Sequence, residues 1–374
     1  MYKIFISALA YDRGQSGISD YINNVVYQLS QKHKLDILIL RDDLNNFPIK
    51  NSNIRFITVT DKLAKPIYSM LWHLFILPFR YKYKKYDFIF LPAGNRRIFA
   101  YYPIFTITTF HDLSQFHIQN KYDPLRMFYI KRVIPYFLRK VDKIVAVSKA
   151  TKADLIRFYH CPEAKITVAY NGYDSKKFNS EPAEKSRQDI LESDKKYILY
   201  VARVEHPGKN HLNLIKAYER LPKTIKAEYN LVCAGGFKER SEEVLAYKER
   251  SADRDKINFT GFFPAEDLID LYKNATLFVM PSFYEGFGIP LVEAMACGIP
   301  VISSDRGPLP EVVGEQALLF NPDKPAEIAE KIEEVLSDAE KCKELIDKGR
   351  ARLKYFQWKL HCEKIIQLYK ESEL

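Results

Sequence analysis

The chain reads as an α/β protein made of two parallel-sheet domains with helices on both faces of each sheet, and three observations predict this. Apolar, β-branched runs alternate with helical stretches along nearly the whole sequence. Turn signals, several of them glycine-bearing, follow those runs where a strand hands over to a helix. The length, 374 residues, exceeds what one core usually supports and suits two units of about 150 residues each.

In chain order, residues 1–9 (MYKIFISAL) are the first expected strand, followed by a turn holding Gly14 and Gly17 and an amphipathic helix from about Ile18. Glycine at such a turn lets backbone amides approach a ligand with no Cβ in the way. The G-x-G-x-x-G of a dinucleotide site is absent, and a plain strand-to-helix turn is an equally good reading of an isolated G-x-x-G. Residues 104–110 (IFTITTF) form a buried strand ending in His111-Asp112, where an α/β sheet delivers side chains to its ligand crevice. Taken alone, His111 reads more readily as a satisfied structural histidine. Residues 144–147 and 166–169 are further strands, the second running into the Asn171-Gly172 turn.

Residues 178–194 (FNSEPAEKSRQDILESD) are polar and lack an apolar face, so the domain boundary is expected there: a first domain over 1–180 and a second over 195–354. The second domain repeats the alternation, with strands at 196–202, 229–236, 257–262 and 275–281. Arg203 follows the first of these, and Lys209 stands six residues on, at the start of the next helix. An Arg fork and a mobile Lys charge can converge on one diphosphate, although exposed basic residues beside a loop are the plainer reading of the pair alone.

The densest segment is 282–302, SFYEGFGIPLVEAMACGIPVI, a glycine-broken loop entering a short helix near Ile289. Gly286 and Gly288 open the backbone, and Pro290 suits a first helical turn, where a missing N–H costs nothing. The positive end of that helix favours an anion, most naturally a diphosphate. Glu285 precedes the helix and Glu293 lies one turn inside it, so one carboxylate can serve each side of the phosphates.

These features together resemble the large family of retaining glycosyltransferases with the GT-B fold, which includes bacterial mannosyl- and glucosyltransferases of lipopolysaccharide, capsule and phosphoinositol-mannoside synthesis. Their signature is a Glu, seven residues and a second Glu in a loop and helix of this type, and the wording EGFGIPLVEAMACGIPVI is most similar to mannosyltransferases of O-antigen and capsule assembly. The resemblance implies two Rossmann-like, doubly wound domains facing a central cleft, with the helix at about 355–374 crossing back to the first. It implies a nucleoside-diphosphate sugar donor, GDP-mannose as the best guess and a UDP- or dTDP-sugar as the alternative, and a glycan or lipid-linked acceptor.

Site residues implied in the same way are His111 beside the sugar, Arg203 and Lys209 on the leaving diphosphate, Glu285 with the amides of Gly286, Phe287 and Gly288 on the sugar, and Glu293 on the ribose diol. Gly14, Gly17, Ile289 and the backbone edge at Phe262 complete the expected donor contacts. No metal or other cofactor is expected, because the cations and the helix end can neutralise the leaving group themselves. A sugar-nucleotide epimerase and a non-catalytic assembly scaffold are the rivals. A paired-carboxylate glycosidase fits poorly, since the two Glu residues address different parts of one donor.

Charge is uneven. Residues 1–180 hold 28 Lys and Arg against 13 Asp and Glu, whereas residues 181–374 hold 29 against 34. The basic first half asks for an anionic partner. Nucleic acid is not expected, because no zinc, helix-turn-helix or RNA-recognition pattern is present. Aromatic, basic segments at 65–85 and from Tyr122 to 143 suit docking on an anionic membrane surface, with a core helix carrying a solvated basic end as the plainer alternative. The apolar stretch 67–79 is 13 residues long, short of the roughly 20 that span a bilayer. Without an evident signal peptide, and with five scattered cysteines, the expected location is cytoplasmic, peripheral on the inner membrane face.

Overall fold

A computed structural model describes residues 1–14, 16–118, 123–314 and 317–373, with only the backbone of residues 66, 265 and 266. The chain divides into two compact units, Met1–Gly172 with Gln357–Leu374, and Tyr173–Phe356.

The first unit is built on seven parallel strands: β1 Lys3–Ser7, β2 Lys34–Leu40, β3 Ile54–Val59, β4 Phe88–Leu91, β5 Thr106–Phe110, β6 Lys143–Ala146 and β7 Ile166–Val168. Their order is β3-β2-β1-β4-β5-β6-β7. Alternation along β1 sends Ile4 and Ile6 into a core beneath the helix Gly17–Ser30, and Phe5 into a second core with Tyr83 and Phe99 on the opposite face. The helix Trp358–Lys370 joins the first of these cores through Trp358, Cys362, Ile365 and Leu368. Its close approach explains Gly172, where a Cβ would lie 2.2 Å from the Trp358 nitrogen.

The second unit has six parallel strands: β8 Lys196–Val201, β9 Tyr229–Ala234, β10 Ile257–Gly261, β11 Leu277–Met280, β12 Val301–Ser304 and β13 Leu318–Phe320, in the order β10-β9-β8-β11-β12-β13. In both sheets the order reverses once, between β1 and β4 and between β8 and β11. At such a switch point the loops leave the strand ends in opposite directions and open a crevice.

The division into units falls at Gly172/Tyr173, ahead of the boundary expected over 178–194. Phe178 sets its ring edge-on to Tyr272 at 5.7 Å, and residues 187–191 form a short helix behind a Ser186/Asp189 capping box. Side-chain packing and a capped helix thus draw this polar stretch into the second unit. Cys233 and Cys297 are buried, as their apolar contexts suggested. Among the described residues no helix is long and apolar enough to cross a membrane.

Two stability predictions follow from this packing. Ile365, fully buried on the last helix, should cost about 2–5 kcal/mol when cut to alanine, measured as a lowered denaturant midpoint for the first unit. Burial draws His73 and His211 down to about 3, and His111 and His361 to about 4. The unfolded chain therefore takes up protons as pH falls from about 6.5 towards 4 while the folded chain does not, and each unmatched proton removes about 1.4 kcal/mol per pH unit. The melting temperature should drop between pH 6.5 and 4 and level off above 6.5; a midpoint flat across that window would count against these four burials.

Candidate functional site

In the second unit the switch point between β8 and β11 gathers two loops. One runs from Arg203 to Asn210 and the other from Ser282 to Gly288, and side chains stitch them together. Tyr200, at 0% exposure inside β8, donates its hydroxyl to the Lys209 carbonyl at 2.8 Å and lies 2.9 Å from Ser282 Oγ. Asn210, held in a left-handed conformation with φ 59°, donates its amide to the carbonyls of Pro281 at 2.9 Å and Pro322 at 2.8 Å. The Phe283 amide donates to the Gly208 carbonyl at 3.1 Å.

With both loops so held, Lys209 and Glu285 meet. The Lys209 ammonium contacts the two Glu285 oxygens at 2.7 and 2.8 Å, with the side chains 20% and 13% exposed. Arg203 is more open, with its Nη2 3.5 Å from Glu205. The sequence allowed both cations to converge on one diphosphate; the structure gives Lys209 a carboxylate partner that spacing did not reveal.

The helix Ile289–Ala296 begins at the expected residue, behind Gly288 in a left-handed conformation with φ 99°. A Cβ on Gly288 would meet Leu309 Cδ2 at 2.8 Å, so packing as well as backbone geometry requires glycine there. The helix end offers fewer donors than a standard N-terminus: Pro290 has no N–H, and the Leu291 amide is spent on the Gly288 carbonyl at 3.0 Å. Its contribution to an anion is the dipole more than a ring of amides. The Phe287 side chain is buried edge-on against Phe356 at 5.6 Å, so only its backbone can face a ligand.

Glu293 sits on the same helix and accepts a hydrogen bond from the Tyr272 hydroxyl at 2.9 Å. Phe262 follows β10, an outer strand two places from β8, and its side chain is 82% exposed. At about 4.8 Å between neighbouring strands, the β10 line lies roughly 10 Å along the sheet from the β8 line.

In the first unit Gly14 and His111 follow β1 and β5. Gly14 has φ 80° within a turn closed by Asp12, whose carboxylate accepts from Ser19 Oγ at 2.6 Å. Gly17 opens the helix behind the Ser16 cap, and nothing lies within 4 Å of where its Cβ would stand. Packing does not demand glycine there. His111 donates from Nε2 to the Pro92 carbonyl at 2.7 Å, which fixes the tautomer and leaves Nδ1 as an acceptor. Burial, its main influence, holds the ring near a pKa of about 4, so it is neutral at physiological pH.

The support behind His111 had no signal in the sequence. Tyr21 sets its ring edge-on to the imidazole at 4.6 Å. Its hydroxyl donates to His361 Nε2 at 2.6 Å and accepts from Thr109 Oγ1 at 2.8 Å, while His361 Nδ1 donates to the Ala169 and Tyr170 carbonyls. Three distant segments thus converge on one ring, a contact that no local pattern encodes. The chain's one Asp-x-Asp, Asp253-Arg254-Asp255, precedes β10 at the opposite end of the sheet from these loops, and Asp253 there holds Lys226 at 2.6 Å and Lys256 at 3.5 Å. It serves as an ion-pair hub.

The glycosyl transferases group 1 family matches residues 182–352, and Glycosyltransferase Family 4 matches residues 15–177. The O-antigen chain mannosyltransferase B of Escherichia coli is 33% identical over 267 residues, covering 71% of this chain and 70% of that protein. The N-acetylgalactosamine-N,N'-diacetylbacillosaminyl-diphospho-undecaprenol 4-alpha-N-acetylgalactosaminyltransferase of Campylobacter jejuni is 26% identical over 364 residues, covering 92% and 94% of the two chains. Among solved structures, Anabaena HepE in complex with UDP and glucose superposes over 100% of both chains with a TM-score of 0.74 at 18% identity. With matches across both units and two doubly wound parallel sheets, the chain belongs to the group 1 glycosyltransferases and has the GT-B fold.

Proposed function

We propose that this glycosyltransferase moves a hexose, with mannose from GDP-mannose the first choice, from a nucleoside-diphosphate sugar to a hydroxyl of a lipid-linked or free glycan during cell-surface polysaccharide synthesis, with retention at the anomeric carbon. The observation that carries the donor side is the Lys209–Glu285 pair in the β8/β11 crevice, with Arg203 beside it. Similarity to an O-antigen mannosyltransferase supports the choice of sugar, and similarity to an enzyme named for a diphospho-undecaprenol acceptor supports a lipid-linked one.

The ammonium of Lys209 has three donors. It can hold Glu285 and a phosphate oxygen together, which orients the carboxylate towards the sugar hydroxyls while the cation faces the leaving group. As the anomeric C–O bond breaks, its electron pair passes to the diphosphate, where Lys209, Arg203 and the dipole of the helix Ile289–Ala296 stabilise the charge. The acceptor oxygen bonds to the anomeric carbon from the face the diphosphate leaves, and its proton goes to a diphosphate oxygen. No metal and no protein nucleophile enters this scheme. Glu293, held by Tyr272, is assigned to the ribose diol, and His111, through Nδ1, to a sugar hydroxyl.

Peripheral docking on an anionic membrane belongs to the same reading. The helical run 66–80 presents Ile67, Tyr68, Phe75, Ile76 and Phe79 to solvent, and the run 124–138 presents Leu125, Phe128 and Tyr136. Phe75 meets Phe137 edge-on at 6.4 Å, so the two runs lie side by side, and Lys140 sits 4.7 Å over the Tyr136 ring. Large apolar residues rimmed by lysine and arginine match the chemistry of an anionic lipid surface. Tyr122, from which the second basic segment was counted, lies outside the described residues.

Two outcomes test this. Arg203→Ala and Lys209→Ala should each lower kcat/KM with the nucleotide sugar by about 10²–10³, after a thermal-shift panel of GDP, UDP and dTDP has chosen the donor base. Near-normal turnover in both variants would remove the leaving-group assignment, and an epimerised donor formed without acceptor would replace transfer by epimerisation. Vesicles with anionic lipid should co-sediment the protein in a salt-sensitive way, weakened by Phe79→Ser and by charge removal at Lys140; equal binding to neutral vesicles would reject the docking surface.

A further inference from the structure

The switch point of the first sheet carries a cationic centre that none of the roles above uses. The loop after β4 contains Arg96 and Arg97, and it is tied down at several points. The amides of Arg96 and Arg97 donate to the Ala93 carbonyl at 2.9 and 2.8 Å, and the Gly94 amide donates to Thr109 at 2.8 Å. A Cβ on Gly94 would lie 2.3 Å from Thr108 Oγ1, so the loop presses directly on β5. Further on, His73 donates from Nδ1 to the Ile98 carbonyl at 3.1 Å and accepts from Ser7 Oγ at 2.9 Å. Pro78 has no N–H to return to the Leu74 carbonyl, and the Ala100 amide takes that oxygen at 2.8 Å.

Within this frame the Arg97 guanidinium is recessed. Its Nε donates to Ser69 Oγ at 3.0 Å and its Nη1 to the Arg96 carbonyl at 2.9 Å, and Nη2 makes neither bond. No carboxylate pairs with it among the described residues. The charged groups close enough to act on it include Arg96 and Arg126, which share its sign, and Tyr129 is a further neighbour. Burial draws the guanidinium down to about 10, a direction that disfavours the charge it must carry. Tyr129 is buried, and its hydroxyl has no hydrogen-bond partner among the described residues.

A recessed cation without a counter-ion is costly, and so is a buried hydroxyl without a partner. One anion with several oxygens would relieve both. Arg96 also acts on His111, so the centre borders the residue assigned to a sugar hydroxyl.

We propose that Arg97, with Arg96 and the Tyr129 hydroxyl, forms a phosphate-binding site at the β1/β4 switch point, distinct from the donor's diphosphate site in the second unit. Arginine is suited to this because its planar fork can bond two phosphate oxygens at once. Identifying that phosphate as one carried by the acceptor rests on the glycosyltransferase reading above; the site itself does not.

The test uses the full chain and two probes, inorganic diphosphate and farnesyl diphosphate in neutral phosphatidylcholine vesicles, titrated with saturating nucleoside diphosphate present to fill the donor site. Arg97→Gln should weaken binding by about tenfold or more and Tyr129→Phe by a few-fold, as expected for loss of charge-assisted and neutral hydrogen bonds. Binding of both probes, lost in Arg97→Gln, assigns the site to phosphate itself; binding of the lipid probe alone, again lost in that variant, assigns it to a lipid-borne phosphate. Unchanged affinities in Arg97→Gln, or no binding of either probe to the wild type, would overturn the proposal. If Arg97→Gln does not fold, Tyr129→Phe decides, and unchanged affinity there refutes the site. A chain that binds no nucleoside diphosphate but still loses inorganic diphosphate on Arg97→Gln would sink the donor assignment and leave this one standing.

Discussion

Parallel pairing is the constraint from which the rest follows. A parallel strand must return by a crossover, so each loop that leaves the carboxyl end of a sheet lies beside other loops of the same kind. Where the strand order reverses, neighbouring loops diverge and the backbone leaves a hollow. Both units have one such reversal, and candidate residues lie around it: Arg203, Lys209 and Glu285 beside β8 and β11, and Gly14 and Arg97 beside β1 and β4. His111 lies one strand further on, after β5.

Electrostatics divides these two hollows. In the second unit the cation has a resident partner, since Glu285 grips Lys209 with both oxygens. That pairing lowers the cost of holding a partly buried ammonium in the free protein and presets the carboxylate. In the first unit the hydrogen bonds of Arg97 among the described residues go to neutral oxygens. A cation paired with a carboxylate and one held by neutral oxygens among the described residues are a physical difference between two switch points of the same topology.

Much of the architecture was legible. The runs at 1–9, 104–110, 196–202 and 275–281 all contain strands of the sheets, and the helix after Gly288 begins at Ile289. Strands β2 to β4, β12 and β13 were not singled out. β2 (KLDILIL) carries Asp36, which reads as a break in an apolar run. The structure instead buries that carboxylate under Arg55 and the Tyr86 hydroxyl, the latter at 2.6 Å. The polar stretch 178–194 misled in the other direction, because polarity signals exposure and says little about which neighbour a segment packs on.

What the sequence by itself determined is local: glycine where the backbone turns left-handed at 14 and 288, the helix start at Ile289, the charge excess of residues 1–180, and the Glu285 and Glu293 spacing. Tertiary structure alone decided partnership. Lys209 with Glu285, Tyr272 with Glu293, and Tyr21 and His361 behind His111 are all meetings between residues far apart in the chain, and among the described residues no carboxylate meets Arg97. Propensity and spacing act over one turn or one strand, whereas a hydrogen bond forms only when the packing of whole elements brings donor and acceptor within about 3 Å.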